Sequence, residues 1–240
     1  MRNIVIRFYV FSCFTLQFGY GQTSIYYYNT GILKLQLNDR EEAIENFNKA
    51  IDLDYTFIEA FYQRGFTKYS LEDFKGAMLD FDRIVAYNSN SANAYVWRGI
   101  IKGRLGKYAE AIEDFDKAIK LDPLSFNGYY NRGILKNKQL KFSEAKVDFT
   151  KAIDINANDS NAYNGRGYAK KNLNDYVGAL NDFDIATKID STKAEIYYNR
   201  ASTKFLLDDY TGAILDYTLN SQQYYLKSPK VNKNNASGLL

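Results

Sequence analysis

Residues 92–125 read ANAYVWRGIIKGRLGKYAEAIEDFDKAIKLDPLS, and their pattern returns up and down the chain at a fixed period of 34 residues. Ala43, Ala77, Ala111, Ala145, Ala179 and Ala213 keep that spacing. So do Phe47, Phe81, Phe115, Phe149, Phe183 and Tyr217. A glycine column runs through Gly31, Gly65, Gly99, Gly133 and Gly167, with Ala201 at the sixth place. A fourth column is aromatic: Tyr27, Phe61, Tyr95, Tyr129, Tyr163 and Tyr197. Four columns in phase over six copies are the mark of a repeat array, in which each unit leans on its neighbours to bury a core.

Within one copy the helical spacing is explicit. Tyr95, Gly99, Ile101 and Leu105 form one apolar stripe; Ala111, Ile112, Phe115, Ala118 and Ile119 form a second. Glu110, Glu113, Asp116, Lys117 and Lys120 fall on the opposite face. Gly106 and Lys107 separate the stripes as a short turn, and Asp122-Pro123 stops the second helix. The expected fold is therefore an all-α α-solenoid of about twelve antiparallel helices. Its six repeats are expected at residues 24–57, 58–91, 92–125, 126–159, 160–193 and 194–227. A glycine inside a helix costs about 1 kcal/mol relative to alanine, so its column calls for close helix approach. The expected opposing surface is the alanine column twelve residues on.

Composition narrows the function. The chain has 240 residues, 46% of them apolar, and only two prolines. It contains no histidine, which removes the commonest general base and metal ligand. The glycines come singly, so no phosphate-cradling loop is present, and no carboxylate pair stands out as catalytic. The expectation is a protein without enzymatic activity, cofactor or metal. The net charge is +3, too little for a nucleic-acid footprint.

Residues 1–21 have the features of a secretory leader. Arg2 is followed by an apolar stretch, and Gly19-Tyr20-Gly21 supplies small residues for cleavage after Gly21. Lipid attachment at Cys13 and retention as an uncleaved anchor are the alternatives. Membrane contact is expected only through a retained leader. Cys13 is the single cysteine, so cleavage leaves no thiol chemistry. The expected location is outside the cytoplasm: periplasmic, envelope or secreted. Residues 228–240 are polar, show no helical stripe, and are expected to form a flexible tail. The sixth repeat carries Asn220 and Gln223 where the third has Ala118 and Leu121, a polar substitution suited to an array end.

Tyr95, Gly99, Tyr108, Ala111, Phe115, Ala118 and Pro123 match, in place and order, the pattern of the tetratricopeptide repeat, which residues 24–227 resemble. That resemblance implies a right-handed superhelix whose first helices line a concave face that commonly holds peptide segments. On it, the lining falls to Tyr62, Phe66 and Tyr69 in the second repeat, and to Asn93, Val96, Ile100 and Arg104 in the third. The fourth repeat offers Asn127, Tyr130, Ile134 and Lys138; the fifth offers Asn161, Asn164, Tyr168 and Lys171; the sixth offers Tyr198 and Phe205. Amides can bond a peptide backbone, and aromatics supply contact area. Some of these aromatics can instead pack on the neighbouring repeat. The function implied is an exported, noncatalytic scaffold for a protein or peptide partner. The alternative is a structural subunit of an envelope or secretion assembly that uses its convex face or its ends.

Two columns depart from the family pattern. Where it has leucine before the glycine, this chain has Arg64, Arg98, Arg132, Arg166 and Arg200, and Thr30 in the first copy. Four residues on, Lys34, Lys68, Lys102, Lys136, Lys170 and Lys204 replace an aromatic. The second helices carry Asp80, Asp114, Asp148, Asp182 and Asp216, but Asn46 in the first copy. The copy that lacks the arginine also lacks the aspartate. That joint loss predicts an ion pair between the two helices of each repeat. The other reading is a basic ladder for an anionic partner.

Overall fold

The computed structural model describes residues 23–227. The leader with Cys13 and the tail at 228–240 lie outside the described residues, as does the side chain of Gln223. Regular structure among the described residues is entirely helical. The helices are α1 (residues 23–36), α2 (Arg40–Leu53), α3 (Ile58–Ser70), α4 (Phe74–Tyr87), α5 (Ala92–Arg104) and α6 (Tyr108–Leu121). They continue as α7 (Phe126–Lys138), α8 (Phe142–Ile155), α9 (Ser160–Asn172), α10 (Tyr176–Ile189), α11 (Ala194–Phe205) and α12 (Tyr210–Lys227). The chain divides into two compact units between Leu121 and Asp122. In the first, α3 packs on α4, α5 on α6, and α2 and α4 each pack on the next helix in the chain. In the second, α7–α8, α9–α10 and α11–α12 pair, with α8 on α9 and α10 on α11. Consecutive pairing of this kind is the all-α solenoid class.

Short polar side chains set the helix starts. Asp39, Asp73, Ser91, Ser125, Asp159, Asp175 and Asp209 each accept a hydrogen bond from the backbone N–H three residues on. The first helices all stop in the same way. Asn38, Glu72, Gly106, Leu140, Asn174 and Asp208 have φ between 60° and 78°, at intervals of 34 residues. At the second copy, the Asp73 N–H reaches the Lys68 carbonyl at 2.9 Å and the Glu72 N–H reaches Tyr69 at 3.0 Å. This six-to-one, five-to-two pair satisfies two otherwise orphaned carbonyls and turns the chain into the second helix. Only Gly106 meets the left-handed conformation without a side-chain penalty.

The packing partner of the glycines differs from the sequence expectation. A Cβ on Gly31, Gly65, Gly99 or Gly167 would stand 2.6–2.8 Å from the ring of Phe47, Phe81, Phe115 or Phe183. At Gly133 the distance to Phe149 is 3.1 Å. The close approach is thus to the phenylalanine sixteen residues on, not to the alanine column. The alanines are themselves buried. A ring lying flat on bare backbone needs the Cβ space that an alanine leaves filled.

Within each unit the next helix pair adds to the burial of the aromatic column. Phe81 is stacked by Trp97 of the succeeding pair at 6.2 Å. Phe149 clusters with Ala169, and Phe183 with Ile196, each again from the succeeding pair. In α12, the last of the described helices, Tyr217 in the same column is 36% exposed, against 0–1% for the five phenylalanines. At this helix Asn220 Oδ1 is buried without a hydrogen-bond partner, while Ile214 and Leu215 are 65% and 61% exposed.

Two opposite changes of Cβ test this reading in a single urea series. Gly99→Ala is expected to destabilise the chain by about 1–3 kcal/mol through overpacking on Phe115, despite its higher helix propensity. Leu140→Gly is expected to stabilise it by about 0.5–1 kcal/mol by relieving the left-handed leucine. Shifts of the opposite sign would contradict the packing account.

Candidate functional site

The basic column is engaged inside the repeats. In five copies the arginine of the first helix grips the aspartate of the second through two nitrogens. Nη2 lies 2.5–2.8 Å from one carboxylate oxygen. Nε lies 2.8–3.1 Å from the other. Lys68, Lys102, Lys136, Lys170 and Lys204 reach the same carboxylates at 2.8–3.0 Å. The guanidinium also lies 5.3–5.5 Å from the ring three residues before it, Phe61, Tyr95, Tyr129, Tyr163 or Tyr197. The aspartates are buried, so their charge is met by three donors rather than by water.

The remaining arginine nitrogen reaches the preceding repeat. Nη1 of Arg64 meets Asn48 at 2.7 Å, that of Arg98 meets Asp82 at 3.1 Å, and that of Arg200 meets Asp184 at 2.8 Å. Hydrogen bonding to Asp114 raises the Arg98 pKa above its ordinary value, and Asp216 does the same for Arg200. Burial pushes the Asp216 carboxyl up, but its bonds from Arg200 and Lys204 outweigh this and hold it below the usual range. In the first copy, Lys34 pairs instead with Glu42 near the surface. The geometry is that of an internal clamp, not of a ladder facing an anionic partner.

An open cleft of about 370 Å³ lies within the second unit, a size in the range of ligand sites. Helix α7 contributes Tyr130, Ile134, Asn137 and Lys138, α8 contributes Phe149, and α9 contributes Asn161, Asn164, Gly165 and Tyr168; Glu195 of α11 closes one side. Spacings of three and four residues put each helix's contributions on one face. The wall is aromatic: Tyr130 stands edge-on to Phe149 at 5.9 Å and stacks on Phe126 at 5.6 Å. The rim is a row of amides. Asn199 donates to Asn164 Oδ1 at 2.9 Å, Lys193 donates to Asn161 Oδ1 at 2.7 Å, and Asn137 donates to the Gly165 carbonyl at 3.1 Å. Asn137 Oδ1 is buried without a hydrogen-bond partner. Burial, helped by the charges of Asp159 and Glu195, pushes the Tyr130 hydroxyl up to about 12, so it stays a neutral donor.

Six of the residues proposed from sequence meet in this cleft: Tyr130, Ile134, Lys138, Asn161, Asn164 and Tyr168. Asn127 is exposed outside it. Lys171 lies over the Tyr168 ring at 5.3 Å and donates to Ser202, and burial lowers its pKa. Tyr198 is half exposed against Tyr217. In the first unit, Phe66 and Tyr69 pack on Trp97 at 4.4 and 5.8 Å, and Tyr62 packs on Phe81 with its hydroxyl 3.1 Å from Ser91. Arg104 lies over the Phe74 ring, and Asn93 is exposed. The aromatics of the second repeat thus fill their own groove. Asn137, Gly165 and Glu195 were not selected from sequence; Gly165 carries a signal, because its column otherwise reads Asn29, Gln63, Trp97, Asn131 and Asn199.

A second hollow, of about 580 Å³, lies on α2–α4, but its lining includes the clamp of Arg64 and Asp80. Among the described residues there is no group of three or more metal-ligating side chains, and no helix is long and apolar enough to cross a membrane.

Comparison with known proteins bears on the fold. A tetratricopeptide repeat model matches residues 92–123, and a TPR repeat model matches residues 31–72. The structure of PilW, a widely conserved type IV pilus biogenesis factor, is similar at a TM-score of 0.75 and 19% identity, over 88% of this chain and 98% of PilW. PilF of Pseudomonas aeruginosa is similar at 0.73 and 20% identity, over 91% and 99% of the two chains. YrrB, a TPR protein with an unusual peptide-binding site, is similar at 0.58 and 19% identity, over 71% and 88%. At these identities the likeness is one of fold. No curated protein matches the chain.

The clamp is tested by a double-mutant cycle on Arg132 and Asp148. A coupling energy of about 1–3 kcal/mol is expected, with either single change costing more than the double because it strands a buried charge. Coupling near zero would return the basic column to the surface reading.

Proposed function

This chain is a tetratricopeptide repeat protein, and from that premise we propose that it is a noncatalytic scaffold that captures a protein or peptide segment in the cleft of α7, α8 and α9. The supporting observation is the contrast between two corresponding grooves. In the first unit the groove beside α3 is filled by the chain's own Trp97, whereas the cleft beside α7 stays open over an aromatic wall and an amide rim. Such a lining suits an extended segment: amides bond its backbone, and tyrosine and phenylalanine faces take up an apolar side chain. We further propose that capture takes place outside the cytoplasm. That reading rests on the basic, apolar and small-residue succession of residues 1–21.

A second reading, as a subunit of an envelope or secretion assembly, draws on a different observation. The last helix exposes Ile214 and Leu215, an apolar surface at the end of the described helices. The fold likeness to PilW and PilF is compatible with it.

Crosslinking with mass spectrometry on the native cell envelope separates the two. The double change Tyr130→Ala with Asn164→Ala is expected to abolish crosslinks to the captured partner while leaving the fold intact by circular dichroism. Full retention of every crosslink in a folded double variant would remove the cleft reading and leave the assembly reading.

A further inference from the structure

The cleft has an internal counterpart, and that counterpart shows what fits. Adding 68 residues, two repeats, carries Tyr62, Phe66, Tyr69, Phe81 and Trp97 onto Tyr130, Ile134, Asn137, Phe149 and Gly165. The tyrosine–phenylalanine pair of the frame is preserved, although Phe149 leans to within 2.5 Å of where a Cβ on Gly165 would stand: Tyr62 stands edge-on to Phe81 at 5.5 Å and 82°, and Tyr130 stands edge-on to Phe149 at 5.9 Å and 71°. In the earlier copy an indole occupies the centre of that frame. It sits 4.4 Å from Phe66, 5.8 Å from Tyr69 and 6.2 Å from Phe81, nearly parallel to the last at 21°. In the later copy the residue that would supply it is glycine. The same column at Asn199 bears a buried amide, which donates to Asn164.

A second observation points the same way. Where the earlier copy has Tyr69, the later has Asn137, whose Oδ1 is buried with no hydrogen-bond partner. A buried amide oxygen left unpaired is unfavourable, and it is relieved by any ligand that brings an N–H or O–H donor. An indole has both the plane to stack on Phe149 and the donor to reach that oxygen.

We infer that the cleft receives an aromatic side chain carrying a hydrogen-bond donor, tryptophan above all, as the anchor of the captured segment. The bound ring takes the place beside Phe149 that Trp97 takes beside Phe81, and its N–H meets Asn137. This inference rests on the cleft being the capture site, and it adds the chemistry of what is captured.

The test is a nuclear magnetic resonance titration of the labelled full chain with N-acetyl-tryptophanamide, N-acetyl-naphthylalaninamide and N-acetyl-leucinamide. The tryptophan amide is expected to shift the Gly165 backbone and Asn137 side-chain signals saturably, at concentrations at least tenfold lower than the leucine amide. Gly165→Trp, which fills the place from within, is expected to lose the response. A Cβ there would lie 2.5 Å from Phe149, so that variant can fail to fold. Asn137→Leu serves as the second variant and is expected to remove the preference for tryptophan over naphthylalanine, whose ring lacks a donor. Equal response to leucine amide, or shifts that survive in folded Gly165→Trp, would overturn the inference. If the tryptophan amide gives no shift while partner crosslinks still depend on Tyr130 and Asn164, the anchor is wrong and the capture site stands. If those crosslinks are also insensitive, both fall.

Discussion

A helix pair in this chain cannot cover its own phenylalanine. The ring presses on a glycine of its own repeat from one side, and in three copies the next pair supplies a lid: Trp97 over Phe81, Ala169 beside Phe149, Ile196 beside Phe183. At the last of the described helices, Tyr217 is left 36% exposed. A fully buried aromatic contributes about 1.5–3 kcal/mol by leaving water. Tyr217 lacks about a third of that burial, so a part of the contribution depends on the neighbour. Local helix signals, the aspartate caps and left-handed stops, decide where helices begin and end; neighbour burial decides that they persist.

The buried ion pairs act as a second, more directional constraint. Apolar contact tolerates sliding, whereas a bidentate guanidinium–carboxylate pair with a lysine on the same carboxylate has one geometry. The third arginine nitrogen extends that geometry back to the preceding pair in Arg64, Arg98 and Arg200. A buried pair is weak evidence of net stability. Its role here is register: it fixes how each second helix sits on its first, and so fixes the spacing of the groove-lining residues.

Much of this was legible in the sequence because repetition makes a column out of what would otherwise be a single residue. The arginine–aspartate clamp could be inferred from its joint absence at Thr30 and Asn46, and the structure places the groups in contact in the other five copies. The glycine column was legible as a close approach, but its partner was misassigned. Spacing along a helix places alanine and phenylalanine on one stripe, and only the tilt of the two helices shows which of them reaches the glycine. The cleft was only half legible. Tyr130, Asn161 and Asn164 could be proposed from their columns, but equivalent columns carried Tyr62, Phe66 and Tyr69, which the structure shows packed on Trp97. The difference lies in one residue two repeats away, Gly165, whose meaning is the absence of a side chain. Glu195 enters from a third helix pair, which no pattern within a single repeat reveals.

The claim that each repeat is held by its successor is tested most directly by site-resolved hydrogen exchange on the intact chain. Neighbour-dependent burial predicts that amides of α12 exchange fastest among the second helices, and that α8 and α10, covered on their outer side by α9 and α11, are protected to nearly the global unfolding free energy. Protection of α12 equal to that of α10 would show that a helix pair is stable without a lid, and would contradict the account.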